Sequence, residues 1–168
     1  APLGRGYWAH LPRAVLGSVS AAFRLEAERL RSEGRSPWTV HNEMLVWTGL
    51  SVLLALALGG VFGPGAVVFF ALQSLVAVLS LELTNYVEHY GLLRRRLASG
   101  RWERVAAAHS WSSAVRLSNA LFFNVQRHAH HHARPGLPYH RLQHWESAPT
   151  LPAGYPAMMA LALLPALW

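Results

Sequence analysis

The 168-residue chain combines a 52% apolar composition with 15 arginines and neither lysine nor aspartate, for a formal net charge of +7. It has no cysteine, which excludes disulfides, thiolate metal sites and a cysteine nucleophile within it. The positive charge does not point to nucleic acid, because no RNA- or DNA-binding motif is present and the arginines flank a long uncharged stretch instead.

Leu11 to Glu33 reads as an amphipathic helix. Leu16, Val19, Phe23, Ala27 and Leu30 recur at helical spacing opposite Arg24, Glu28, Arg31 and Arg35, with Arg24 and Glu28 placed to pair. Such a helix lies along a membrane surface or packs on the cytoplasmic part of the protein. No charged start followed by an apolar run precedes it, so no signal peptide is read. Ser36-Pro37 is expected to open the next helix, with Ser36 as N-cap and Pro37 at the first helical position. The 38 residues from Met44 to Leu81 then carry no charge and are interrupted only by Gly63-Pro64-Gly65.

About 20 helical residues cross a bilayer core of about 30 Å. The spacing therefore predicts one span over Met44 to Phe62 and an antiparallel return from Ala66 to about Tyr86. The alternative is a buried hairpin in a soluble protein, but uncharged runs of this length favour the membrane. Six arginines precede the hairpin and nine follow it, with none between Arg35 and Arg94. By the positive-inside rule both ends of the hairpin face the cytoplasm. Trp38 and Trp47 serve equally well as interface anchors or packing residues.

Beyond the hairpin, Leu97 to Trp102 reads as a short polar connection. Arg101 to about Ala133 is expected to be helical, continuous or broken, and Pro135, Gly136 and Pro138 end it. Ala157 to Trp168 is apolar throughout, too short to span alone and interrupted by Pro165. The chain starts without methionine and stops inside this pattern, so it reads as an internal piece of a larger membrane protein. The expected fold class is all-α: an integral-membrane helical bundle, represented by one transmembrane hairpin plus cytoplasmic helices that bear histidines.

The chemistry concentrates in two places. His128, His131 and His132 fall at i, i+3 and i+4, so on a helix they project from one face, where three neutral imidazoles can hold a transition metal. His130 points away from that face and reads as a solvated residue or one that supports a ligand. Upstream, Glu82, Asn85, Glu88 and His89 lie within two turns at the end of the uncharged stretch, where ionisable groups are costly unless they have a role. Together the two clusters look like one metal site assembled from distant segments. His10, His41, His140 and His144 lie outside any ligand spacing and are read as surface or interface residues.

Asn85 to Arg94, NYVEHYGLLR, and Gln126 to Pro135, QRHAHHHARP, with Tyr139 soon after, resemble the third and fourth histidine motifs of the integral-membrane, non-haem di-iron alkane 1-monooxygenases. That family is related to the membrane fatty-acid desaturases and hydroxylases. The resemblance extends to His109-Ser110-Trp111, Leu11-Pro12-Arg13 and Arg35-Ser36-Pro37-Trp38. It implies a six-helix protein of the bacterial inner membrane that holds two irons on its cytoplasmic side through histidines alone. The implied reaction is terminal hydroxylation of medium- or long-chain n-alkanes with O2, and the implied electron donor is rubredoxin with its reductase.

Carried over by motif, the iron ligands are His89, His128, His131 and His132. The family's other ligands belong to two boxes expected before Ala1, so this stretch alone is not expected to hydroxylate. The resemblance also makes Asn85, Glu88, His109 and His130 candidates to touch the ligands; helix-end capping or simple packing are the other accounts. Four positions depart from the pattern: His130 stands for aspartate, Ala129 for serine, Ser112 for asparagine and His140 for glutamine. Leu75, Leu79 and Leu83 share a stripe below His89 and either line an apolar channel or serve packing and lipid. Arg94, Arg95, Arg96, Arg101, Arg104, Arg134 and Arg141 offer a docking surface for rubredoxin, or enforce topology and bind anionic lipid.

On this reading residues 1–168 belong to a single membrane hydroxylase domain. It divides into a cytoplasmic amphipathic segment (1–36), a transmembrane hairpin (37–90), a cytoplasmic metal-site region (91–156) and a truncated apolar segment (157–168). Two other functions fit the residues: a membrane fatty-acid desaturase or hydroxylase, and a non-enzymatic membrane protein whose histidines bind zinc or nickel.

Overall fold

The computed structural model describes residues 1–168. It is helical without strands, and its backbone forms two compact units: Pro12–Ser80, and Ala1–Leu11 with Leu81–Trp168.

Most of α1 (Tyr7–Ser32) lies in the first unit. It begins four residues before the expected Leu11 and carries Pro12 near its start. The predicted apolar stripe is not a buried one: Leu30 is fully buried, but Leu16 and Val19 are exposed. Nor do Arg24 and Glu28 form the ion pair. Arg29 does, reaching Glu26 at 2.7 Å and Glu33 at 2.8 Å. Glu26 is favoured because Oε1 also accepts from Glu43 N at 2.9 Å, which places a carboxylate on the unfilled N–H groups at the start of the next helix. These contacts hold the Glu26 carboxyl down at about 2, with the Arg29 hydrogen bond as the largest cause.

Ser36 does not open that helix. Its Oγ accepts from Trp38 N at 3.2 Å and closes a turn. The N-cap of α2 (Glu43–Phe62) is Asn42, whose side chain accepts from Leu45 N at 3.2 Å and donates to Pro37 O at 2.8 Å. The Ser36-Pro37 turn is thus an anchor for the true cap six residues later. At the other end, Gly63 takes φ +84°, a left-handed conformation that favours glycine, and Pro64 opens α3 (Pro64–His89). A methyl group on Gly59 would sit 2.7 Å from Val67 Cγ2, so the hairpin closes tightly at its turn.

Both helices are long and apolar enough to cross a membrane, with mean hydropathy of 2.1 in each. A core helix of a soluble protein would be covered, but no residue of α2 is buried. A helix that is apolar all round with its surface uncovered matches hydrocarbon surroundings, and we read the chain as an all-α membrane protein.

In the second unit, the expected helix over Arg101 to Ala133 is mostly absent. The segment contains a 3₁₀ turn at Ala107–His109 and two short helices, α4 (Arg116–Leu121) and α5 (His128–Ala133). Isolated bridges pair Arg96 with Trp102 and Ser112 with Thr150. The cause is side-chain competition for the backbone. Asn119 Nδ2 donates to the carbonyls of Ser113 and Val115, both at 2.9 Å, and buried Ser110, Ser112 and Ser113 line the same stretch.

The apolar core of this unit gathers Tyr7, Leu83, Tyr86, Val87, Leu151, Tyr155 and Met158, the last two from α6 (Tyr155–Ala162). Leu83 is packed inside it, which takes that residue out of the proposed channel stripe; Leu75 is exposed.

Candidate metal centre

His89 is the last residue of α3, and its surroundings come from a segment about 20 residues further on. Trp111 N donates to Glu88 O and Trp111 Nε1 to Tyr90 O, both at 2.8 Å, which fills carbonyls that a helix end leaves open. From the same segment, His109 O lies 3.0 Å from His89 Nδ1. A carbonyl only accepts, so Nδ1 carries the proton and the lone pair of His89 is on Nε2.

The position of α5 is set by polar contacts on either side of it. Just before it, Phe123 (φ 49°) and Asn124 (φ 59°) both adopt left-handed backbone, an uncommon state for a bulky residue such as phenylalanine. Asn124 Nδ2 donates to Tyr139 O at 3.1 Å, and the Phe123 and Tyr139 rings meet edge to face. Gln126, fully buried, receives Tyr155 N at 2.7 Å and Ser118 Oγ at 3.1 Å on its side-chain oxygen. Arg127 donates to Leu142 O.

These anchors bring His89, His128 and His132 together, with one ring nitrogen from each lying within 4.8 Å of the others. His128 Nε2 is 3.3 Å from His89 Nε2. On its other side, His128 Nδ1 lies 3.2 Å from Glu88 Oε1, a close approach without the directionality of a hydrogen bond. Burial, followed by crowding from the other imidazoles, pushes His128 down to about 3, and burial also lowers His132. Both rings are therefore neutral at neutral pH, the state that ligates metal.

The donor set fits a cation. His132 Nε2 is buried with no hydrogen-bond partner. Two nitrogens each about 2.1 Å from one ion sit about 3.0–3.4 Å apart for angles between octahedral and tetrahedral values. The Nε2 pair of His89 and His128 falls in that range.

The remaining candidates are distributed differently. His131 is exposed, its ring 5.8 Å from that of His128 and 5.9 Å from that of His132, outside the three-ring group. His130 is not solvated: it is buried, accepts from Gln143 N at 2.9 Å on Nδ1 and stacks on Trp145 at 4.9 Å. A buried imidazole needs partners, and the 143–145 segment supplies them. Asn85 is exposed and is not a member of the histidine group.

His109 contributes its carbonyl rather than its ring. Its Nδ1 accepts from Ala106 N at 2.9 Å, and Nε2 faces Glu103 Oε1 at 3.0 Å. His41 and His140 are exposed as expected, but His10 and His144 are half-buried, each with an unpartnered Nδ1.

Three residues that shape the site carried no signal in ligand spacing. Trp111 ties down the end of α3, Gln126 anchors the approach to α5, and Tyr155 is fully buried with its hydroxyl donating to Trp111 O at 2.8 Å. Trp111 and Gln126 stand inside the quoted motifs, whereas Tyr155 lies well beyond them. A cleft of about 430 Å³ opens beside the cluster, lined by His89, His109, His132, Leu92, Leu93 and Trp102.

Apolar spanning helices whose polar continuation gathers imidazoles define a class of membrane metalloprotein. The comparisons with known proteins narrow it. Residues 1–162 match the family model described as fatty acid desaturase, and the chain belongs to that family. It is 46% identical over 158 residues to alkane 1-monooxygenase 2 of Alcanivorax borkumensis, covering 94% of this chain and 41% of that protein. It is 44% identical over 165 residues to alkane 1-monooxygenase 2 of Pseudomonas aeruginosa, covering 98% and 44%. A more distant relative, 27% identical over 165 residues (98% and 43%), is the xylene/toluene monooxygenase hydroxylase component of Pseudomonas putida. The chain thus spans less than half the length of these relatives.

Proposed function

We propose that this chain is the portion of a membrane-bound monooxygenase that carries its later histidine ligands, and that the full-length protein converts medium- and long-chain n-alkanes to 1-alkanols with O2. The observation that carries the reading is the gathering of His89, His128 and His132 where an apolar helix ends, in a chain whose relatives are named for alkane oxidation. The proposed ligands are His89, His128, His131 and His132, and the proposed metal is iron, two ions per protein.

Non-haem iron would supply the activation of O2 that an unreactive C–H bond demands. The chain's own residues prepare the site. The His109 carbonyl fixes the tautomer of His89, and Glu88 faces the far nitrogen of His128. Neutral imidazoles leave the charge of the ion largely uncompensated and suit iron as donors. His131, apart from the three-ring group, is available to a second ion completed by residues outside this chain. An alkane has no polar group to grip, so apolar surface must position it.

The arginine distribution supports placing the histidines on the cytoplasmic side of a bacterial inner membrane, with the Gly63 turn outside. We assign residues 1–36 to the membrane surface, 37–90 to the hairpin, 91–156 to the metal-site region and 157–168 to a further apolar segment. Arg94, Arg95, Arg96, Arg101, Arg104, Arg134 and Arg141 are all exposed and are proposed to receive an acidic rubredoxin. Added salt should then slow reduction of the enzyme.

The test is turnover of the full-length protein with rubredoxin, its reductase and an n-alkane under ¹⁸O₂. Labelled 1-alkanol is expected, and His131→Ala should lose iron and product together. Unsaturated acyl chains in place of alkanol would favour a desaturase, and metal binding without oxygen-dependent turnover would favour a carrier.

A further inference from the structure

Helix α5 carries a buried histidine that the metal centre does not use. His130 follows His128 by two residues and so projects from the other side of the helix. It is 6% exposed, and its Nδ1 accepts from Gln143 N at 2.9 Å. A ring nitrogen that accepts carries no proton, which puts the N–H of this imidazole on Nε2. That donor has no partner within the protein, yet it keeps access to a cavity of about 470 Å³ that His130 lines. A donor buried in this way calls for an acceptor from outside.

The rest of the cavity answers that description. Arg134, just past the end of α5, is set by its N–H bond to His130 O at 2.9 Å, and Arg141 closes a 3₁₀ turn at Tyr139–Arg141. Both side chains line the cavity together with Gln143, Leu137 and Trp145, whose ring stacks on His130 at 4.9 Å. Arg127 donates to Leu142 O and so ties this wall back to the start of α5. No carboxylate lines the space, and neither guanidinium of Arg134 or Arg141 has a hydrogen bond or an ion pair in the structure. Two full positive charges and a fixed imidazole N–H therefore surround one volume. A carboxylate would offer them two oxygens in one plane, whereas a phosphate group offers three or more in a tetrahedral array, which guanidinium forks meet two at a time. Leu137 and Trp145 leave an apolar wall for the carbon of a phosphate ester.

We propose that His130, Arg134 and Arg141 form a binding site for a phosphate group, carried by an anionic phospholipid headgroup or free in solution. The site is separate from the metal centre, so either reading can fail alone. Its two arginines are among the seven proposed to receive rubredoxin, and an occupied cavity leaves that role to the other five.

The experiment titrates inorganic phosphate into the full-length protein in non-ionic detergent and chloride buffer, read by isothermal titration calorimetry. Saturable binding is expected. Arg134→Gln and Arg141→Gln should each weaken it by about tenfold or more, the usual cost of losing a charged donor. His130→Asp removes the N–H and sets a carboxylate at the cavity, and it should abolish binding. Arg104→Gln, exposed and outside the cavity, is the control and should bind phosphate as the parent does. Repeating the titration in lipid nanodiscs assigns the source. Phosphate that binds in phosphatidylcholine but not in phosphatidylglycerol identifies a lipid headgroup as the occupant, and binding in both identifies free phosphate.

Binding that survives Arg134→Gln and Arg141→Gln together, as phosphate held by the metal would, overturns the proposal. So does an equal loss in Arg104→Gln, which would mean attraction to net charge rather than to a site. If the parent bound no phosphate while the two variants weakened rubredoxin docking, the proposal would fall and these arginines would belong to the acidic protein.

Discussion

Between Pro12 and Ser80, hydroxyl groups mostly bond back to their own helix: Thr48 to Met44 O, Ser51 to Trp47 O, Ser74 to Phe70 O. Between Leu81 and Trp168 the buried polar contacts cross the sequence instead, with Trp111 reaching Tyr90, Tyr155 reaching Trp111, and Gln126 receiving Tyr155. The first pattern is what a bilayer demands, since spanning backbone must be satisfied within its own helix. The second lets short, irregular segments hold side chains at fixed points, as a metal centre requires. One region is thus tolerant of side-chain changes that keep it apolar, while the other depends on particular partners.

The largest effect expected from this contrast is in the histidine region. His128→Ala in the full-length protein should abolish metal loading, measured by elemental analysis, whereas Leu53→Ala, on an exposed face of α2, should leave it unchanged. Equal metal content in the two variants would erase the distinction.

The hairpin has its own vulnerability, to charge. Leu54→Arg, near the middle of α2, should cost about 2.5–3.5 kcal/mol of insertion free energy and shift protein out of the membrane fraction. The same substitution at exposed Leu93 should leave the membrane fraction unchanged. Because the chain lacks cysteine, a single cysteine at Gly63 also reports topology, and labelling from outside intact cells is expected.

A smaller effect separates the two kinds of hydrogen bond. Gln126→Leu leaves the buried Tyr155 N–H without its acceptor and should destabilise by about 1–3 kcal/mol, seen as a lowered melting temperature in detergent. Ser74→Ala, which loses only a bond within its own helix, should stay within about 0.5 kcal/mol of the parent.

The smallest effect is at Glu26, whose ion-pair partner Arg29 is exposed and screened by solvent. Its carboxyl is held at about 2 against an ordinary 4.5, so its contribution is complete above about 4.5 and is lost as the pH falls toward 2. Glu26→Gln should flatten acid sensitivity across that window: its small cost to stability is expected in full at pH 7 and vanishes as the pH approaches 2, read from melting temperatures across the range.

How far each region could be read from its residues follows the same division. Hydropathy and the distribution of arginine place both apolar helices within a few residues of their ends, because a helix in hydrocarbon is specified by its own composition. The i, i+3, i+4 spacing of His128, His131 and His132 and the motif around His89 locate the histidines, because a helical face is a local property. Errors in the first unit come from local competition: Asn42 replaces Ser36 as the cap because its amide both accepts from Leu45 N and donates to Pro37 O.

Tertiary structure alone decided the rest. It grouped His128 and His132 with His89 while leaving His131 aside, buried His130 under Trp145, and left Asn85 exposed. It also turned His109 so that its carbonyl, not its ring, meets His89, and brought Tyr155 to Trp111 across 44 residues. The physical reason is range: periodicity and charge act over a few turns of helix, whereas these placements depend on hydrogen bonds between groups the sequence keeps far apart.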